Sequence, residues 1–332
     1  MRIEENFPIK DLNSLRVNQF TKYFCSIKTI EECKKAIEFS KAKDVPFLFI
    51  GAGSNVVFTS DYEGLLIRNN ILGRIEHDDK TVEILSGENW HEFVEWSLAN
   101  ERYGLENLAL IPGTVGASPI QNIGAYGKEV STFIKEVKAV NTLTAKEKTF
   151  SKEDCKFGYR SSLFKNKKEY FITSVVFETS SDPCIDISYD SLQKFINASS
   201  IEIEALTPKE VFDYVSSLRR NVLPDHNIEF NAGSFFKNLI LEADEFKKLT
   251  TIIKVPFYEN NSHYKIPSGF LIEKAGWKGK GLNNVKVSDK HSLVLTTNGN
   301  LGGKEVVTFA NSIIDDIYSK FKVKLEIEPT LI

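Results

Sequence analysis

Residues Asn231-Ala232-Gly233-Ser234-Phe235-Phe236-Lys237-Asn238 bring a hydroxyl, two amides and an ammonium together beside paired aromatic rings. Gly233 can take a positive φ or let backbone approach a ligand, and Phe235 and Phe236 can anchor the stretch so that Ser234 keeps one orientation. A hydroxyl held in this way can give or take a proton. The same residues would also serve as a plain turn, with Ser234 bonded to backbone and the phenylalanines in a core.

Two further stretches could hold a ligand. Gly51-Ala52-Gly53-Ser54-Asn55 follows an apolar run, and its glycines allow successive N–H groups to point at a phosphate while Ser54 and Asn55 add donors. It runs into Val56-Val57-Phe58 instead of a helix and lacks the full G-x-G-x-x-G spacing, so a Rossmann reading fails; a ligand-free turn and a pyrophosphate cradle both fit. The run from Ile111 to Gly127 holds four glycines, two alanines and two prolines in 17 residues, without helical or strand period. Such backbone should be irregular and rigid, and small residues permit close approach to a large flat ligand, with Gln121, Asn122 and Tyr126 favouring a site. Arg160 offers a planar fork for a carboxylate, or a surface ion pair. Arg219-Arg220 and the lysines from Lys274 to Lys280 could hold phosphates or form solvated faces, and Lys165-Asn166-Lys167-Lys168 reads as a solvated turn.

The elements that position these residues are legible in part. Thr29 and Glu32 form a T-x-x-E capping box for a helix from Thr29 to Asp44, and a buried strand follows from Val45 to Ile50. Strands are predicted at Leu65 to Ile67, Thr81 to Leu85, Ile134 to Val140 and Tyr170 to Glu178, and a helix from Asn89 to Asn100. Thr207-Pro208-Lys209-Glu210 starts another helix with cap, proline and glutamate in sequence, and an amphipathic helix spans Lys304 to Lys320. Val323, Leu325 and Ile327 then alternate with Lys324, Glu326 and Glu328, which predicts a terminal strand with Glu328 on its polar face.

Bulk properties exclude several classes. A chain of 332 residues should form two or three domains, and its 42% hydrophobic and 26% charged content is that of a globular protein. No apolar run approaches the roughly 20 residues of a spanning helix. The first residues lack the pattern of a secretory signal, which points to the cytosol. The net charge of −3 gives no footprint for nucleic acid. Cys25, Cys33, Cys155 and Cys184 are scattered and the five histidines do not cluster, so neither a disulfide framework nor a metal site is indicated.

Taken in order, Gly51 to Asn55, Ile111 to Gly127, Gly158-Tyr159-Arg160, Leu223-Pro224-Asp225, Asn231 to Asn238 and Leu325-Glu326-Ile327-Glu328 resemble the UDP-N-acetylenolpyruvoylglucosamine reductases (UDP-N-acetylmuramate dehydrogenases) of bacterial cell-wall synthesis. The resemblance covers nearly the whole chain, and Ile187 to Leu192 with the insert around it look like the family's longer type, in which a tyrosine loop closes over the sugar nucleotide. It implies an α+β chain: a two-part FAD-binding module of the vanillyl-alcohol-oxidase type, residues 1–68 with 321–332 and residues 69–221, plus a smaller α+β substrate-binding domain, 222–320. It implies noncovalent FAD held by Gly51, Ala52, Gly53, Ser54, Asn55, Pro112, Gly113, Thr114, Gly116, Ala117, Ser118, Ile120, Gly124 and Tyr126. Arg160, Ser234 and Glu328 would be catalytic, and Tyr159, Tyr189, Arg219, Asn238, Tyr258 and Lys265 would lie around the substrate or NADPH. No metal, nucleic acid or membrane is implied, and the protein would be a cytoplasmic monomer.

Three positions depart from the family pattern. Val222 stands where a lysine usually precedes Leu-Pro-Asp, Leu239 replaces a proline, and the chain ends four residues after Glu328. Only the first touches a site, with Arg219 or Arg220 as substitutes. Two other readings use the same motifs: an oxidase of another alcohol or sugar, which would not need Ser234, and a flavin- or nucleotide-binding regulator without turnover.

Overall fold

The structure, a computed structural model, describes residues 1–198, 205–260 and 263–332. Its contacts fall into two compact units, one of Met1–Glu5, Tyr23–Ala52 and Glu63–Arg220, the other of Asn6–Lys22, Gly53–Tyr62 and Asn221–Ile332.

In the first unit, helix Ile30–Lys43 starts where the capping box places it, with Thr29 Oγ1 accepting from the Glu32 N–H, and ends at Asp44 in the left-handed region. Strand Phe47–Ile50 runs parallel to Tyr62–Asn69, pairing Phe47 with Leu65 and Ile50 with Arg68. A five-stranded antiparallel sheet follows, in the order Glu147–Ser151, Ile134–Asn141, Tyr170–Glu178, Thr81–Leu85, Arg74–Glu76. Strand Tyr170–Glu178 is buried along most of its length because it serves two apolar clusters, Phe171 in one and Ile172, Val175 and Phe177 in the other. Helices Trp90–Ala99 and Pro208–Val222 contribute Trp90, Phe93, Val94, Val211, Phe212 and Val215 to the second cluster. The Thr207 box closes as the sequence predicts: Glu210 N–H donates to Thr207 Oγ1, and Glu210 Oε2 accepts from the Thr207 N–H.

In the second unit, the predicted last helix spans Gly303–Phe321, with Val306, Phe309, Ile313 and Ile317 buried. A four-stranded sheet runs Phe230–Ser234, Val294–Thr297, Val285–Val287, Gly281–Leu282, and a three-stranded one runs Leu239–Glu242, His263–Ile266, Tyr258–Asn260. The terminal segment differs from its predicted strand. Burial alternates from Val323 to Glu326, but the only pairing there is an isolated bridge of Ile327 with Phe236 among the described residues, and the regular strand is Thr330–Leu331, parallel to Val56–Val57. Glu328 is therefore half-buried instead of lying on an exposed polar face.

Candidate active site

In the first unit, Gly51 and Ala52 at the end of strand Phe47–Ile50 lie beside the glycine-bearing 112–126 loop. A Cβ on Gly51 would come within 2.6 Å of Thr114 Oγ1, so Gly51 is the residue that lets the end of strand Phe47–Ile50 reach the 112–126 loop. That loop is less irregular than its composition predicts. It holds a 3-10 turn at Val115–Ala117 and the hairpin strand Gly124–Ala125, paired with Lys128–Glu129. Gly113 has φ 135, a conformation that requires glycine, and the Gly113 carbonyl accepts from the Trp90 N–H at 3.1 Å. Gly116 and Ser118 face protein: the Gly116 N–H donates to the Ser86 carbonyl, and Ser118 Oγ donates to the Val115 carbonyl at 2.8 Å. Ala52, Pro112 and Ile120 are exposed. Gly51 and Ala52 beside a loop of small residues turned by its glycines make, within the first unit, a cradle that fits part of a flavin dinucleotide. Of the remaining loop residues, Gly53 has φ 64, buried against Leu12 and Asn13, and the Asn55 carbonyl accepts from the Thr330 N–H, while Ser54 is half-buried; these three belong to the second unit.

Beyond this cradle the first unit gathers cations. Gly158 and Ser161 exchange N–H···O bonds of 3.0 and 3.1 Å, making a tight turn that presents exposed Tyr159 and half-buried Arg160, the latter with φ 50. The Arg160 guanidinium donates to the Asn122 and Gly124 carbonyls at 3.4 and 3.2 Å. Arg219, from helix Pro208–Val222, is close enough to Arg160 and Tyr126 to feel both; burial lowers its pKa first, the Tyr126 phenol opposes this and Arg160 adds to it. Its Nε is buried without a hydrogen-bond partner among the described residues. A guanidinium with a buried donor left over, within the field of a second, suits an anionic group. Arg220 is exposed, as is Val222 next to it in the chain order beyond Asn221.

Tyr189 caps helix Asp190–Asn197 and is exposed, its ring edge-on to Tyr126 at 5.6 Å between centroids. Its segment is latched in a way that sequence patterns do not reveal. Asn107 Nδ2 donates to both the Tyr126 and the Asp186 carbonyls at 2.9 Å, and Lys128 pairs with Asp186 at 2.7 Å. Partial burial pushes the Asp186 carboxyl up, but the Lys128 ammonium and hydrogen bonds from Ser188 bring it down to about 2. The Lys128–Asp186 pair is therefore complete above the ordinary carboxylate range and is lost as pH falls through about 2, while the Asn107 bonds do not titrate. Lys165 also departs from its solvated reading: it is half-buried and donates to the Arg160 carbonyl at 2.9 Å. The partner of Lys128 lies far along the chain, whereas that of Lys165 is five residues before it.

In the second unit, Ser234 ends strand Phe230–Ser234 at a bulge. Asn231 pairs with Thr296 and Ser234 with Val294, so one residue is extra, and Gly233 takes it up at φ 69. Asn231 Oδ1 accepts from the Gly233 N–H at 3.0 Å, which locks the bulge, and a Cβ on Gly233 would meet nothing within 4 Å. Phe235 and Phe236 are fully buried and pack edge to face, 5.6 Å apart. The terminal segment is laid along them: the Lys237 N–H donates to the Glu326 carbonyl at 3.0 Å and the Glu328 N–H to the Phe235 carbonyl at 2.9 Å. Backbone pairing thus sets half-buried Glu328 beside the residue that follows Ser234. Lys265 lies opposite Tyr258 on one neighbouring strand and Ile240 on the other, so Tyr258 and Lys265 share one sheet face. Asn238 is partly committed to structure, its Oδ1 accepting from the Ser268 N–H at 3.1 Å.

Comparison with known proteins converges on one family. The family model described as FAD binding domain matches residues 21–150, and the one described as UDP-N-acetylenolpyruvoylglucosamine reductase, C-terminal domain, matches residues 225–332. A UDP-N-acetylenolpyruvoylglucosamine reductase of Burkholderia cenocepacia is 40% identical over 297 residues, covering 87% of this chain and 85% of that protein. One of Paraburkholderia phymatum is 38% identical over 332 residues, covering 98% and 96%. Among solved structures, the UDP-N-acetylenolpyruvylglucosamine reductase of Thermus caldophilus aligns over 100% of this chain and 99% of its own, with TM-score 0.69 and 20% identity. p-Cresol methylhydroxylase aligns over 96% and 83%, with TM-score 0.53 and 12% identity. These likenesses carry the fold, an α+β chain with an FAD-binding module of the vanillyl-alcohol-oxidase type and a separate C-terminal domain. With this fold, both family models and near-full-length identity of about 40% to its relatives, the chain belongs to the UDP-N-acetylenolpyruvoylglucosamine reductase family.

Proposed function

We propose that the protein catalyses the NADPH-dependent reduction of UDP-N-acetylglucosamine enolpyruvate to UDP-N-acetylmuramate, a step of peptidoglycan precursor synthesis, with FAD bound noncovalently. The observation that carries the reading beyond family membership is the bulge that fixes Ser234 next to the backbone pairing of Phe235 with Glu328. FAD, when bound, supplies the relay between the hydride of NADPH and the substrate. Gly51, Ala52, Gly53, Ser54 and Asn55 with the Pro112 to Tyr126 loop hold it. Arg160 and Glu328, the latter donating as the acid or through a water, stabilise the negative charge that develops toward the substrate carboxylate once hydride has reached the terminal methylene carbon. Ser234 delivers the proton to the adjacent carbon, where the developing carbanion is basic enough to take it from a hydroxyl. Tyr159, Tyr189, Arg219, Asn238, Tyr258 and Lys265 surround the sugar nucleotide or NADPH.

On this reading residues 1–68 with 321–332 and residues 69–221 form the FAD module and 222–320 the substrate domain, and the protein acts as a cytoplasmic monomer without nucleic-acid or membrane partner. No helix among the described residues is long and apolar enough to cross a membrane. The test is an absorbance spectrum of the purified protein, then anaerobic NADPH, then the enolpyruvyl sugar nucleotide. Bleaching by NADPH and return of colour with the substrate supports the reading; colour that returns only with oxygen would make the protein an oxidase, and a flavin that NADPH never bleaches would leave a binding protein.

The protein should be yellow, and acid precipitation should release the flavin, because neither flavin loop contains the His or Cys that covalent attachment uses. Colour retained in the pellet would contradict this. Val222 cannot replace an ammonium, so anion recognition should rest on the neighbouring arginines. Arg219→Ala removes a cation whose donor is already buried and should raise KM for the sugar nucleotide or NADPH roughly ten- to a hundredfold, the equivalent of about 1.5–3 kcal/mol. Arg220→Ala, on the exposed side, should do less. If neither changes either KM, the arginines do not compensate for Val222.

A further inference from the structure

Asn122 is fully buried and sits at φ 46, in the left-handed region. Its side chain spends every hydrogen-bonding group in three directions. Nδ2 donates to Glu129 Oε2 at 2.7 Å and to the Gly158 carbonyl at 3.2 Å, and Oδ1 accepts from the Ser131 N–H at 3.1 Å. Its own carbonyl accepts from Arg160 Nη1. One residue of the glycine-rich loop therefore holds the 158–161 turn at its base and the guanidinium at its far end, 36 and 38 positions along the chain.

We infer that Asn122 is the positioning residue for Arg160, setting the guanidinium in register with the flavin loop. The left-handed φ aims the Asn122 carbonyl at Nη1, and the side-chain amide stops the Gly158–Ser161 turn from drifting away from it. A residue that prefers ordinary helical or extended backbone would turn that carbonyl elsewhere; asparagine, aspartate and glycine tolerate the conformation best. Arg160 also donates to the Gly124 carbonyl, and the backbone carbonyl at 122 outlasts the side chain; what losing the amide removes is the tether on the Gly158–Ser161 turn, so the turn and the guanidinium it carries would shift against both carbonyls. Charge stabilisation depends steeply on such geometry, and misplacement of about 1 Å can cost around 10²-fold in rate. The inference rests on the reading of Arg160 as the group that stabilises charge when the substrate is reduced.

The experiment is a double-mutant cycle on the two half-reactions, followed by stopped-flow absorbance, with flavin content and melting temperature measured alongside. Asn122→Gly removes the side chain without straining the backbone. Reduction by NADPH should keep its wild-type rate, and oxidation by the enolpyruvyl substrate should slow roughly 10²-fold. Arg160→Ala should slow the same step, and the double variant should be no slower than Arg160→Ala alone, because the amide acts only through the guanidinium. If Asn122→Gly loses its flavin, Asn122→Asp carries the test: it keeps the backbone preference and the acceptor for Ser131, but it cannot donate to Gly158 and sets a carboxylate against Glu129. Additive losses in the double variant, or a wild-type oxidative rate in the Asn122 variants with Arg160→Ala slow, would overturn the positioning role alone. A wild-type oxidative rate in Arg160→Ala would overturn the reading of Arg160, and the inference with it.

Discussion

In the Ser234→Ala variant, NADPH should still bleach the flavin at the wild-type rate, while its reoxidation by the enolpyruvyl substrate should slow by about 10²–10⁴-fold, the usual contribution of a positioned general acid. Transfer of hydride to the flavin needs no proton from a serine; completing the reduction of the enolpyruvyl group needs one at the carbon beside the carboxylate. The structure favours a selective effect because the bulge is held by Asn231 and Gly233 and by the buried phenylalanines, none of which depends on the hydroxyl. The variant should therefore fold normally and bind substrate nearly as well as wild type. Ser234→Cys should recover part of the oxidative rate, since a thiol also donates. Equal slowing of both half-reactions would make Ser234 structural, and wild-type rates in both would remove it from the mechanism.

Phe236→Ala should destabilise the second unit by about 3–5 kcal/mol, the range for truncating a large buried aromatic side chain. The ring is fully buried, packs edge to face on Phe235, and its backbone bridges Ile327, so the cavity would open where the terminal segment is attached. That attachment rests on backbone hydrogen bonds and this packing; the exposed Lys237–Glu326 ion pair, 2.6 Å long, adds little in water. Phe236→Leu keeps more of the volume and should cost less, and Ser234→Ala should leave stability unchanged. Denaturant unfolding of the three variants in parallel checks this. An unshifted midpoint for Phe236→Ala would mean that the segment carrying Glu328 is held by something other than this core, and a loss of oxidative activity exceeding the loss of fold would tie Phe236 to the placement of Glu328.

What the sequence determined by itself is local. The capping boxes at Thr29 and Thr207 fix where two helices begin, because the atoms that satisfy the first free N–H groups lie within three residues of the cap. The strands Thr81–Leu85 and Tyr170–Glu178 follow from short apolar runs, and the ordered motifs identify the family because several of them recur together. Alternation from Val323 onward correctly gave the buried and exposed residues as far as Glu326. It misplaced Glu328, because period-two burial measures which side of an extended chain meets the core and does not say what that chain pairs with. The partner, Phe235 to Lys237, lies some ninety residues earlier in the chain. The same limit hid the bulge that orients Ser234, which exists only against Thr296 and Val294, and the closeness of Gly51 to Thr114. It also hid the amides of Asn107 and Asn122, which in sequence look like any other polar asparagine. Each amide is placed by a partner that only the tertiary structure supplies, since a buried amide is specified by the carbonyls it must satisfy and not by its neighbours in sequence.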